Sequence, residues 1–261
     1  MKIVVIVKEV PDTEAKITIN GGKPDLSGVK MIINPYDEYA VEEAIQQADK
    51  LGDSSVTVVM IGDDNSKKNL TNVLALGAED AILVKDAALA GSDPLQLAKV
   101  LKAAIEPLGA GMVLAGRQGV DHDWGMTGIA LAELLGWGHV GLITGLEISG
   151  DSFKATSDGD NGRMTFEGSL PAVFTTDKGI NEPRYASLKG IMAAKKKTVA
   201  EKSLADLGLD AAVVGGAAAK VSFVGADLPP QKQPGRIIDG DSVQAKVATL
   251  VDALRNEAKV I

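Results

Sequence analysis

SVTVVMI, residues Ser55–Ile61, is an almost unbroken apolar, β-branched run of strand length. A strand with one wet face alternates apolar and polar residues, so a continuous run requires apolar cover on both faces. The same character recurs in IVVIV (Ile3–Val7), AILV (Ala81–Val84) and MVLA (Met112–Ala115). Helical patterns separate these runs. Asn34-Pro35 reads as an N-cap with proline in the first turn, followed by the acidic Asp37 and Glu38. Val41, Ala44, Ile45 and Ala48 then recur at helical spacing. A second helix starts near Asn65-Ser66 and ends at Gly77, and a third starts at Ser92-Asp93-Pro94. Strand and helix in alternation predict a doubly wound, mostly parallel α/β sheet.

Two stretches depart from that alternation. Residues 16–33 read as an inserted hairpin, with KITIN and VKMII as strands and GGKPD as the turn. Residues 139–176 read as additional strands, some antiparallel, broken at Ser149-Gly150-Asp151 and at Gly159–Gly162. The expected organisation is an α/β domain over 1–180, a partner-recognition loop over 181–197, and a C-terminal arm with a closing helix over 198–261. That arm contains a small-residue stretch at Ala211–Ala219, an extended linker at Leu228–Gly235 and a helix over Ser242–Ala258. It reads as part of the same domain or as a wrap around a partner.

The bulk numbers exclude several function classes. With 261 residues and 45% hydrophobic content, the chain is long and apolar enough to build a sizeable core. A net charge of -8 argues against nucleic-acid binding, which needs an extensive basic surface. The absence of cysteine removes disulfides, thiolate metal sites and a cysteine nucleophile. His122 and His139 are the only histidines, which disfavours a histidine metal site or a catalytic triad. The apolar run at the N-terminus is too short for a secretory signal, and nothing approaches the roughly 20 apolar residues of a membrane helix. The expectation is a soluble cytoplasmic protein without membrane insertion.

GRQGVDHDWGMTG, Gly116–Gly128, follows the fourth strand and opens a helix. Ligands of α/β sheets bind at such carboxyl-terminal crevices. Gly125, Met126, Thr127 and Gly128 would offer backbone N–H groups, and Thr127 its hydroxyl, to an anion. The same residues also make an ordinary strand-to-helix turn, and no phosphate-loop pattern is matched. Asp121, His122 and Asp123 fall short of the convergent ligands of a zinc site, so they read as a solvated loop. No nucleophile–base pair is visible, which predicts no catalytic residues and no metal.

The densest positive charge closes NEPRYASLKGIMAAKKK, Asn181–Lys197. It reads either as a solvated loop and helix start, or as a docking element in which Leu188 anchors in a partner's pocket while the lysines steer an acidic surface.

Over nearly its whole length the chain resembles the β subunits of electron-transfer flavoproteins. The stretches that carry the resemblance are VKEVPD with the following hairpin, NPYDEYAVEEA at Asn34–Ala44 and, most specifically, NEPRYASLKGIMAAKKK. The resemblance implies a Rossmann-like nucleotide-binding fold and a heterodimer with an α subunit that holds most of one FAD. It implies electron uptake from acyl-CoA or other dehydrogenases, as in fatty acid oxidation, and delivery to a quinone oxidoreductase. It further implies a structural AMP lined by Ile6, Asn34, Pro35, Tyr36, Asp37 and Ile61, together with Gly116, Arg117, Gln118, Asp121, Asp123, Gly125, Met126 and Thr127. The dehydrogenase would dock on Tyr185, Leu188, Ile191, Met192, Lys195 and Lys196.

Thr13 stands where some family members carry an aromatic against the flavin. With VPDT and NPYDEY, it is similar to the electron-bifurcating branch, which binds a second FAD in place of AMP. The loop Asp121–Gly128 and NEPRY are more similar to the AMP-binding members, so AMP is the expected ligand. Two further readings remain: a stand-alone adenine-nucleotide sensor and an enzyme acting on an adenine nucleotide. The missing catalytic pair counts against the enzyme, and the displayed leucine with its lysines counts against the sensor.

Overall fold

The computed structural model describes residues 1–232 and 234–261. Gln233, inside the linker expected over Leu228–Gly235, lies outside the described residues. The chain opens with β1 (Lys2–Val7), β2 (Glu9–Pro11), β3 (Thr18–Asn20), β4 (Lys23–Asp25) and β5 (Met31–Ile33). There follow α1 (Pro35–Leu51), β6 (Ser55–Ile61), α2 (Ser66–Leu76), β7 (Asp80–Val84), α3 (Pro94–Ile105), β8 (Met112–Gly116) and α4 (Thr127–Leu135). Next come β9 (Gly138–Ser149), β10 (Ser152–Gly159), β11 (Gly162–Ser169) and β12 (Ala172–Thr176). The chain closes with α5 (Leu188–Ala194), β13 (Val199–Lys202), α6 (Gly215–Ala218) and α7 (Val243–Asp252).

The described residues form a sheet in the order β11-β10-β9-β12-β8-β1-β6-β7-β13. The strands from β9 to β13 in that order run parallel, while β10 is antiparallel to both β9 and β11. Successive residues of β1 feed two different cores. Ile3, Val5 and Val7 pack with α1 and α2, whereas Val4 and Ile6 pack with α3 and α4. Because side chains alternate across a strand, only cover on both faces lets IVVIV remain apolar throughout. The architecture is the expected doubly wound α/β sheet.

Local signals hold α3 well: Asp93, just ahead of Pro94, and Gln96, in the first turn, complete a capping box. Among the described residues, no helix is long and apolar enough to cross a membrane.

Two details differ from expectation. KITIN does not pair with VKMII. Gly21 and Gly22 both take positive φ, 58° and 73°, and this tight turn pairs β3 with β4. Met31–Ile33 is then free to pair with Glu9–Pro11 instead. The partner-recognition loop expected over 181–197 is not a loop throughout, because α5 forms within it. Ser187 caps α5 by accepting from the Gly190 N–H, and Ala194 is buried in the core. The first part of the stretch over 198–261 packs on the α/β core. β13 joins the sheet beside β7, and Leu204 and Val214 are buried on the α3–α4 face.

Candidate functional site

β1 and β8 are neighbours, but the chain leaves them in opposite directions, through α1 to β6 and through α4 to β9. Their carboxyl ends therefore flank the crevice where open α/β sheets hold ligands. Asp37, in the first turn of α1, ties the two ends together. Its carboxylate accepts from Lys8 N at 2.8 Å, Gly116 N at 3.1 Å and Asn34 Nδ2 at 2.9 Å. Burial pushes this carboxyl up to about 7, against the three donors and Lys8, which favour the ionised form. Gly116 is glycine for a steric reason: a Cβ there would overlap Asp37 and the Tyr36 backbone.

Asn34 does not cap its helix. Its Nδ2 donates to Asp37 and to Gln118 O at 2.8 Å, and its Oδ1 accepts from Val120 N at 3.1 Å. The helix start thus holds the loop after β8 in place, and Asn34 is fully buried behind that loop.

In front of the loop lies a cleft of about 1120 Å³. Ile6, Asp37 and Ile61 reach its surface from the strand ends and α1. Gly116, Arg117, Gln118, Asp121, Gly125, Met126 and Thr127 line it from the loop. Asn34, Pro35, Tyr36 and Asp123 do not line it. Tyr36 instead carries the Arg117 guanidinium over its ring at 5.5 Å, and Asp123 accepts from Gln118 Nε2 at 2.8 Å.

The cationic side chains at the cleft are both engaged. Lys8 Nζ contacts both oxygens of Asp121 at 2.8 Å, and Arg117 pairs with Asp177 at 2.8 Å. Burial opposes ionisation of Asp121, but the bonds from His122 and Lys8 outweigh it and hold its carboxyl well below the usual range. At the start of α4, by contrast, no side chain caps the helix, so its first-turn N–H groups are left for another acceptor. Gly125 turns the chain into this helix at φ 60°. The residues present therefore fit an anionic ligand received by backbone N–H groups and the helix dipole, with Lys8 and Arg117 already paired to carboxylates.

Several lining residues escaped the sequence reading. Lys8 follows β1 directly, and the rule that sites lie at strand carboxyl ends reaches it. Ser66, whose hydroxyl donates to Glu9 at 2.6 Å, and the wall Val221–Val224 have no comparable sequence signal. Among the described residues, no group of three or more histidines and carboxylates is placed to hold a metal.

A second surface lies on α5. Leu188 (77% exposed) and Met192 (61%) form an outward stripe with Lys195 and Lys196, following Tyr185, which is almost wholly exposed. Ile191 is partly covered at 40%. Lys197 differs from its neighbours in donating to Ala78 O, just beyond the end of α2. Upstream, Arg184 forks onto Glu42 of α1 at 2.8 and 3.1 Å, and Asn181 Nδ2 donates to Tyr39 O and Glu43 at 3.1 Å.

The model of the electron transfer flavoprotein domain matches residues 25–207. The electron transfer flavoprotein subunit beta of Bradyrhizobium diazoefficiens is 40% identical over the full length of both chains. The subunit beta of Bacillus subtilis is 38% identical, again over both full lengths. The mitochondrial subunit beta of Arabidopsis thaliana is 35% identical over the same extent. With a family match across most of the chain and relatives matched from end to end, this protein belongs to the electron-transfer flavoprotein family, among its β subunits.

Proposed function

We propose that the chain is the β subunit of a heterodimeric electron carrier that binds AMP in the cleft and docks dehydrogenases through α5. In this reading a larger α subunit holds most of one FAD, which supplies the redox chemistry. Electrons arrive from acyl-CoA or related dehydrogenases, as in fatty acid oxidation in the cytoplasm, and leave to a quinone oxidoreductase. The chain contributes binding and docking and no catalytic residue of its own. AMP acts structurally, its phosphate received at Gly125, Met126 and Thr127.

The observation that carries the reading is the uncapped start of α4 at the wall of a cleft whose lysine and arginine are already paired. Such a site receives one phosphate through backbone N–H groups. The exposed apolar face of α7, including Val243 and Val247, supports a role for the arm against the α subunit.

A second reading, an electron-bifurcating subunit with FAD in place of AMP, is favoured by the size of the cleft. At about 1120 Å³ it lies just above the usual range for small-ligand pockets.

Mass spectrometry of the small molecules released by acid from the co-purified complex tests these readings. One FAD and one AMP per heterodimer supports the first, and two FAD without AMP supports the second. A colourless single chain retaining only an adenine nucleotide would instead indicate a sensor.

A further inference from the structure

Gly190 is an anomaly in α5. Its φ is not positive, so its backbone does not require glycine, and glycine is among the poorest helix formers. The explanation lies across the helix interface. A Cβ built on Gly190 would overlap the carbonyl oxygen of Ala75, in the last turn of α2. That oxygen is backbone and has no rotamer by which to swing away. The Gly190 N–H is simultaneously held by Ser187 Oγ at 3.0 Å.

We propose that Gly190 is a positioning residue for docking: its missing side chain lets α5 lie close against α2, and this sets the direction of Leu188. The proposal rests on the docking reading given above. The other tethers of α5 lie at its ends. Ala194 is buried in the core and Lys197 donates to Ala78 O, both beyond Gly190. Arg184 holds Glu42 four residues ahead of Leu188. A side chain at position 190 would therefore push α5 away from α2, and the carboxyl end, where Ala194 is buried, would move least. From Ala194 the lever is about 6 Å to Gly190 and about 9 Å to Leu188, so the displacement grows by about half at the leucine. Met192 lies nearer the pivot and moves less.

The test uses the full heterodimer with its flavin and an acyl-CoA dehydrogenase that reduces the unmodified heterodimer. Gly190→Ala, Leu188→Ala and the double variant are compared. Gly190→Ala is expected to raise KM for the heterodimer about tenfold while kcat and bound nucleotide stay as they were and Tm falls by only a few degrees. In the Leu188→Ala background, Gly190→Ala should add nothing, because no anchor remains to be aimed. Hydrogen exchange should show residues 188–194 still protected, with the helix displaced but intact. A normal KM for Gly190→Ala beside an impaired Leu188→Ala overturns the positioning role and leaves docking standing. A normal KM for Leu188→Ala overturns both. An undiminished effect of Gly190→Ala in the double variant, or loss of protection over 188–194, shows that the substitution acts by disrupting the helix and sinks the proposal.

Discussion

Asn34 and Val120, 86 residues apart, are joined by a hydrogen bond of 3.1 Å from the Val120 N–H to the Asn34 side-chain oxygen. The same side chain donates to Gln118 O, so one amide satisfies a donor and an acceptor of the loop beside the cleft. This makes the first residue before α1 a structural element of the cleft's wall even though it does not touch the cleft.

Asn34→Ala leaves those loop groups and Asp37 without their partner in a fully buried position. A loss of about 2–4 kcal/mol is expected, since unsatisfied buried polar groups cost about 1–3 kcal/mol each and the loop relaxes in part. Denaturant unfolding and nucleotide retention after gel filtration should fall together. Intact retention with a lowered midpoint would separate the loop from ligand binding.

Asp37 ties stability to pH. Burial raises its pKa from 3.8 to about 7, so between those values the folded chain binds the proton more tightly than the unfolded chain. This contribution is complete below the unfolded value and is lost as pH rises through about 7. Asp37→Asn removes the titration. Its Tm relative to the unmodified protein should therefore improve between about pH 5 and about pH 8. A constant difference would mean that Asp37 does not change its protonation over this range.

The fork of Arg184 on Glu42 anchors the segment that leads into α5. Burial works against the Glu42 charge, but the bonds from Arg184 and Gln46 prevail and hold its carboxyl below the usual range. Its stabilising effect is thus present above the ordinary carboxylate range and fades in acid. Arg184→Ala strands a nearly buried carboxylate and should cost about 1–3 kcal/mol, the half-exposed arginine keeping the figure modest. Limited proteolysis should then cut within 181–187 faster than in the unmodified protein. An unchanged cleavage rate would show that the fork contributes little.

The three closing lysines are expected to separate into two roles. Lys195 and Lys196 project into solvent, so replacing both with alanine should weaken dehydrogenase capture about two- to tenfold at low salt and flatten its salt dependence, leaving Tm alone. Lys197→Met should instead lower stability by about 1 kcal/mol, the worth of a partly buried hydrogen bond. Stopped-flow measurements across ionic strength, paired with melting curves, check both. Identical behaviour of all three would contradict the division.

Much of the fold was legible in the chain. IVVIV, SVTVVMI and MVLA announce strands covered on both faces, Asn34-Pro35 and Ser92-Asp93-Pro94 mark helix starts, and the three lysines after IMAA point to a displayed surface. These signals are short-range: periodicity, capping and turn chemistry act between residues within a few positions of one another. The small hairpin departs from the apolar pattern because two adjacent glycines close a turn earlier than that pattern suggests. The role of Asn34, the triple hydrogen bond of Asp37, the contrast between Lys197 and its neighbours and the need for glycine at 190 emerge only once the chain is folded. Each depends on a partner in a distant segment, such as Val120, Gly116, Ala78 or Ala75. No local pattern encodes such a pairing, because the winding of the sheet and the packing of helix on helix choose which distant groups meet.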